Sequence, residues 1–323
     1  MPSVVTASAP GKLMLLGEHA VVYGHPCLVT AVDQRMRATV ECTDTPIFEL
    51  HAPDVKIEKY QQSIDTLMTG AVPKGARFIE QALLFYREAH PFPGGVRVTT
   101  SSDFSPLFGF GSSSASTVAF LKAVDGVFDT KLHPRQLFEL AYKTVLTVQG
   151  KGSGFDVASA AWGGTMHYAR GGEIADPMPD HPFTLIVGYT GVKADTVSIV
   201  TSVAEIAKKD QARVDALYKK MGELVVQAHG AFITQDWVQF GQFMNDDQLL
   251  LSELGVSSDI LDRLIESANK GGALGAKLSG AGIGDCMIAL GTPETAPSIA
   301  SAITEAGGTV IPVRVHAPGA RVE

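Results

Sequence analysis

The stretch 104-FSPLFGFGSSSASTVAFLKAV-124 decides the fold. Gly109 and Gly111 let the chain curl with its N–H groups pointing inward, and Ser112, Ser113 and Ser114 add hydroxyls where a helix begins. The first N–H groups of a helix have no intrahelical partner and carry the positive end of its dipole, so such a start favours an anion. The helix body after the serines is small and apolar, with no charge before Lys122. Two readings fit these residues: a cradle for phosphate, or an ordinary capped helix with a flexible approach. No Lys precedes the serines, so the pattern is not a Walker loop.

Two further stretches bear on the choice. Near the start, 8-SAPGKLMLLGEHAVVYGHP-26 sets a Pro-Gly-Lys turn before an apolar run, then Gly17-Glu18-His19 before another. Near the end, 276-AKLSGAGIGDCMIAL-290 places a glycine-rich loop between Lys277 and a strand-like run. Together, in this order and spacing, the three motifs resemble those of the GHMP kinases, and the resemblance covers nearly the full chain. The first motif is most similar to the mevalonate kinase branch of that family.

The resemblance implies an α+β fold of two lobes with the active site in the cleft between them. An N-terminal α/β lobe is expected over 1–175 and a C-terminal, ferredoxin-like lobe over 176–323. It implies ATP and Mg²⁺ as cofactors and phosphorylation of the C5 hydroxyl of mevalonate. Phe108-Gly109-Phe110-Gly111, Gly152-Ser153-Gly154-Phe155-Asp156 and Gly284-Asp285-Cys286 are similar to phosphomevalonate kinases, which makes phosphorylation of 5-phosphomevalonate the alternative. A catalytically inactive binding protein of the same fold is a third reading.

Bulk properties narrow the class. At 323 residues the chain can form one large or two modest domains. A formal charge of −8 leaves no basic footprint for nucleic acid, so an ATP site must concentrate positive charge locally. Cys27, Cys42 and Cys286 are isolated in apolar settings and read as buried small hydrophobes, not as zinc ligands or a disulfide. No basic N-terminal region leads into an apolar core, and no apolar run is long enough to span a bilayer. The expected location is the cytoplasm. The expected partners are a small-molecule acid and ATP, without nucleic acid or membrane, and a homodimer is compatible with these features.

Strands are expected at 2–8, 36–42 and 95–100, and helices at 74–90, 113–127 and 134–147, the last opening on Pro134. Residues 161–172 read as a turn, a strand and a second turn, and the Pro- and Asp-rich 173–182 as a break. Beyond it come a strand at 184–189, helices over 196–252, 257–270 and 294–306, and strands at 286–290 and 308–315. Pattern alone leaves the topology open.

Phosphoryl transfer needs positioning, charge neutralisation and a base for the alcohol proton. Asp156, in Ser153-Gly154-Phe155-Asp156, matches the family's catalytic aspartate; by its residues alone it would cap the following helix. The resemblance makes Lys12 its partner, stabilising the developing alkoxide. It also assigns substrate contacts to His19, Glu18 and Thr190; without it, His19 reads equally as a satisfied core histidine. Nucleotide phosphates are assigned to Gly109, Gly111, Ser112, Ser113, Ser114, Gly280 and Gly282, with Ser113 as the Mg²⁺ ligand. Kinases of the mevalonate branch usually add a Glu eleven residues before the aspartate. Here that position is Val145, which cannot ligate, and Glu139 is no obvious substitute. Lys193 and Lys151 are spare cations near the expected active-site loops.

Overall fold

Two long strands carry the N-terminal lobe. β1 (Val4–Leu16) and β2 (Cys27–Thr43) pair antiparallel, and β1 is buried along nearly its whole length. The computed structural model describes residues 3–323, the side chain of Val197 excepted, so Pro2 of the expected first strand lies outside the described residues. In the middle of β1 the register slips: Pro10 faces Arg35, whereas Gly11 faces Val32. Proline has no N–H for the ladder, and a bulge is where a strand tolerates it. The two unmatched residues, Asp33 and Gln34, are on β2, and Lys12, opposite Ala31, is the second residue past the slip.

The sheet is completed by β3 (Ile47–Ala52), β4 (Ile57–Ser63), β5 (Gly95–Ser102) and β12 (Arg321–Val322), in the order β12-β1-β2-β5-β3-β4. β6 (Thr165–Tyr168) pairs with the first residues of β2, and β7 (Ala175–Pro177) pairs with β6. The Pro- and Asp-rich break therefore contributes an edge strand before the chain leaves this lobe. Helices α1 (Arg77–Ala89), α2 (Ser112–Phe128), α3 (Pro134–Gln149) and α4 (Phe155–Trp162) pack with the sheet, α2 directly on β1 and β2. α2 is buried on almost all sides, as its uncharged first turns require.

The second sheet is antiparallel. β8 (Thr184–Tyr189), β9 (Gly275–Ser279), β10 (Cys286–Gly291) and β11 (Thr309–Ile311) lie in the order β11-β8-β10-β9. Between β8 and β9 run α5 (Thr196–Lys209), α6 (Gln211–Ile233), α7 (Trp237–Leu254) and α8 (Asp259–Lys270), and α9 (Ala296–Glu305) joins β10 to β11. With its inserted helices this is the expected ferredoxin-like arrangement. Two hydrophobic clusters form the cores: one fills the first lobe and continues onto one face of the second sheet through Leu185, Val187, Ile288 and Leu290, and the other packs the opposite face, with Ile186, Leu278, Met287 and Ala289, against the helices.

The strand expected over 308–315 stops at Ile311, because Pro312 cannot donate to a ladder. From there the chain crosses back to the first lobe. The Ala317 N–H donates to the Ala31 carbonyl at 3.2 Å, and β12 then pairs with β1. Cys27 and Cys286 are buried and free, whereas Cys42 is only partly buried. Among the described residues no helix is long and apolar enough to cross a membrane.

Candidate active site

The cap of α2 is Gly111, at φ 77°, a left-handed conformation that costs any residue with a Cβ. A Cβ at this position would also lie 3.3 Å from Lys12 Cγ and 3.5 Å from Asp156 Cβ. The bare glycine is what lets the helix start, Lys12 and Asp156 converge. No side chain caps α2, so its first N–H groups stay open to a ligand. Ser112 and Ser113 line a cavity of about 770 Å³ together with Gly109, Gly111, Lys12 and Asp156.

Asp156 stands in the first turn of α4, whose cap is Gly154, not the aspartate. Its Oδ2 accepts the Ser114 hydroxyl at 2.5 Å and its Oδ1 accepts the Val157 N–H at 3.0 Å. Ser114 is buried and outside the cavity lining; its hydroxyl serves the aspartate. Lys12 donates to the Gly109 carbonyl at 2.8 Å and lies 5.5 Å from the centre of the Phe155 ring. Burial pushes its ammonium below the usual lysine range, and the negative charges of Asp156, Asp285 and Glu18 push back.

Glu18 and His19 both line the cavity, and each is also engaged within the protein. Glu18 forms an ion pair with Lys277, which is fully buried and lies 3.5 Å from Asp247 on α7. One oxygen of each carboxyl, Glu18 Oε2 and Asp247 Oδ1, is buried without a hydrogen-bond partner. Burial outweighs the lysine and pushes Glu18 up to about 7; Asp247 is raised for the same reason. His19 takes a left-handed backbone, φ 58°, and its Nε2 donates to the Ala281 carbonyl at 2.9 Å. Since a carbonyl can only accept, Nε2 carries the proton, and burial disfavours the charged ring. The group left over is Nδ1, an acceptor.

Thr190 and Gly282 lie outside the cavity lining. The Thr190 hydroxyl donates to the Asp285 carbonyl at 2.9 Å. Gly282 packs on the backbone of Val256, where a Cβ would meet the carbonyl at 2.0 Å, whereas Gly280 opens onto the cavity. Val145 lines the cavity as a buried apolar side chain, and Glu139 is outside, paired with Arg135 at 2.8 Å. No group of three or more His, Cys, Asp or Glu able to hold a metal exists among the described residues.

Sequence reasoning gave no role to Asp247, Lys277 or Asp285. Lys277 and Asp285 stood inside the quoted third motif as the only charges among glycines and apolar residues. Asp247 carries no local signal, because its partners are 229 and 30 positions away in the chain.

Comparison with known proteins gives the chain a family. Residues 77–164 match the N-terminal domain of the GHMP kinases, and residues 228–309 match the GHMP kinase C-terminal domain. The chain is 34% identical to the mevalonate kinase of Thermococcus onnurineus, covering 99% of this chain and 98% of that one. It is also 34% identical to the mevalonate kinase of Pyrococcus abyssi, over 100% and 99%. The crystal structure of the Methanococcus jannaschii mevalonate kinase superposes with a TM-score of 0.81 at 23% identity, covering 96% of this chain and 97% of that one, which supports the fold. With both family domains in order and full-length relatives at this identity, the chain belongs to the GHMP kinase family.

Proposed function

We propose that the protein catalyses the ATP-dependent phosphorylation of the C5 hydroxyl of mevalonate to 5-phosphomevalonate. The observation that carries this reading is the convergence of Asp156, Lys12 and the uncapped start of α2 on one cavity, in a chain with mevalonate kinases as full-length relatives. The open N–H groups at the start of α2 bind phosphate oxygens, and Gly280 leaves room on the opposite wall. Asp156 takes the hydroxyl proton, with the Ser114 hydrogen bond fixing the carboxylate's orientation. Lys12 places a positive charge beside the oxygen that loses that proton. His19 Nδ1 accepts a hydrogen bond from a substrate hydroxyl, and Glu18, anchored by Lys277, holds the turn that presents it.

The donor set fits Mg²⁺ in its usual form, with few protein ligands and several waters. Ser113 supplies the hydroxyl, and the buried apolar Val145 excludes a carboxylate from the position where one was expected. The ion supplies neutralisation of phosphate charge when bound.

A phosphomevalonate site must neutralise an additional charge near −2. Of the cations that line the cavity beside Lys12, which are Lys74, Lys151 and Lys193, Lys193 lies 3.5 Å from Asp285 Oδ1, so its charge is already met within the protein. An ADP-release assay over mevalonate, 5-phosphomevalonate, homoserine and galactose tests the reading. Turnover is expected with mevalonate; turnover confined to another acceptor, or to none, would overturn it.

A further inference from the structure

Asp285 is almost completely buried, yet it is an acid in a wall that must receive anions. It takes a left-handed backbone, φ 56°, which few non-glycine residues adopt. Its backbone is tied to the loop after β8 in both directions. The Asp285 N–H donates to the Val192 carbonyl at 2.8 Å, and its own carbonyl accepts the Thr190 N–H at 3.0 Å and the Thr190 hydroxyl at 2.9 Å. Its Oδ1 accepts the Ala194 N–H at 2.9 Å and lies 3.5 Å from Lys193 Nζ.

The other carboxylate oxygen reaches the opposite lobe. A Cβ on Gly109 would lie 2.5 Å from Asp285 Oδ2, so only a bare glycine fits against the acid. The carbonyl of the same Gly109 holds the Lys12 ammonium. One side chain thus touches the turn that leads into α2, fixes the loop over 190–194, and stands one residue removed from Lys12.

We infer that Asp285 is a positioning residue for phosphoryl transfer: it seats the Gly109 turn, and through it Lys12, against the 190–194 loop of the other lobe. This rests on the kinase reading above and extends it to a residue that acts through Gly109 and Lys12. Its negative charge also helps keep the buried Lys12 protonated. The groups facing Lys12 are Asp156 on α4, Glu18 after β1, Cys27 on β2, and Asp285 and Cys286 at the start of β10. Those facing Asp285 are Lys12, Lys193, Tyr189 and Cys286.

Asp285→Asn keeps the size and an acceptor oxygen for the Ala194 N–H, and removes only the charge. Asp285→Glu keeps the charge. Two readouts separate positioning from a merely structural role. In kcat/KM against pH, measured on whichever acceptor the wild type turns over, the alkaline limb should move down by roughly one pH unit in the Asn variant. The limb should hold its place in the Glu variant, and the loss should fall on kcat more than on the KM for ATP. The titration of ¹³C-labelled Lys12 Cε, assigned with Lys12→Arg, should move by the same amount, and this readout needs no turnover. A wild type that turns over no acceptor sinks the kinase reading while the Lys12 titration still decides the role of Asp285. An unchanged Lys12 titration in a folded Asp285→Asn protein would overturn the inference, as would equal shifts in both variants.

Discussion

At Asp156 one carboxylate oxygen accepts the Ser114 hydroxyl and the other the Val157 N–H; an amide of the same shape keeps its oxygen on the Val157 N–H and donates its NH2 to the Ser114 hydroxyl, which can rotate to accept. Asp156→Asn is therefore expected to keep the fold and the affinity for ATP and to lose about 10²–10⁴-fold in kcat, the range of a general base. Single-turnover kinetics beside nucleotide titration checks this, and near-normal turnover would remove Asp156 from the role. Glu18 makes a different kind of prediction. Its carboxyl titrates near 7 in the folded protein, against an ordinary value of 4.5. Between those two pH values the folded chain keeps a proton that the unfolded chain has released. Its contribution to stability is thus whole below about pH 4.5 and is lost as pH rises through 7, with a slope of up to about 1.4 kcal/mol per pH unit. Glu18→Gln has no such proton to lose. Denaturant unfolding at a series of pH values should show the variant gaining on the wild type as pH rises, and parallel curves would mean that Glu18 titrates normally. The sequence pointed to Glu18 and His19 as polar residues between two apolar runs. It could not show that the Glu18 charge is met by Lys277, 259 positions away.

Among the elements, α2 carries the site through its first turn. The pair of glycines, the serine run and the uncharged helix after it are local features, and each acts locally: the cap turns, the N–H groups stay open, the body is buried. The division of labour among the serines is not local. Ser112 and Ser113 face the cavity, while Ser114, on the other side of the same turn, meets Asp156 from α4. Helical geometry rotates each successive residue by about 100°, so three adjacent serines cannot all face one ligand. Ser113→Ala is expected to raise the Mg²⁺ concentration needed for half-maximal rate by several-fold, the loss of roughly 1 kcal/mol for one hydroxyl contact. Nucleotide binding without metal should change less. An unchanged Mg²⁺ dependence would leave phosphate binding to the backbone alone. Elsewhere β1 and β2 were legible as strands only in part, because β1 is buried on both faces beyond Thr6 and so shows no alternation, and β2 carries two unmatched residues, Asp33 and Gln34, at the register slip.

On the scale of the whole molecule, the chain's last residues close the first lobe. The Arg35 guanidinium, nearly buried, donates to Ser8 Oγ at 2.7 Å, to the Ser8 carbonyl at 3.1 Å, and to the Pro318 and Gly319 carbonyls at 2.7 and 2.8 Å. The neighbouring Ala317 carbonyl accepts the Gly164 N–H at 2.8 Å, just beyond the helix that bears Asp156. Arg35→Ala strands several carbonyls at once and is expected to cost about 3 kcal/mol of stability, with a melting temperature lower by several degrees. Differential scanning calorimetry checks it, and a change near zero would mean that backbone pairing alone docks the tail. By itself the sequence determined the family and its mixed α/β fold, and raised the expectation of a phosphate cradle and an Asp156–Lys12 pair, because turn chemistry and short-range spacing survive in a linear reading. The tertiary structure alone decided which serine serves the aspartate, that Glu18 meets Lys277 of the second sheet, that Asp285 packs against Gly109, and that the strand expected over 308–315 gives way to a strap. Each of these is set by contacts between residues far apart in the chain, and burial gives such contacts their energy only once the two lobes have closed on one another.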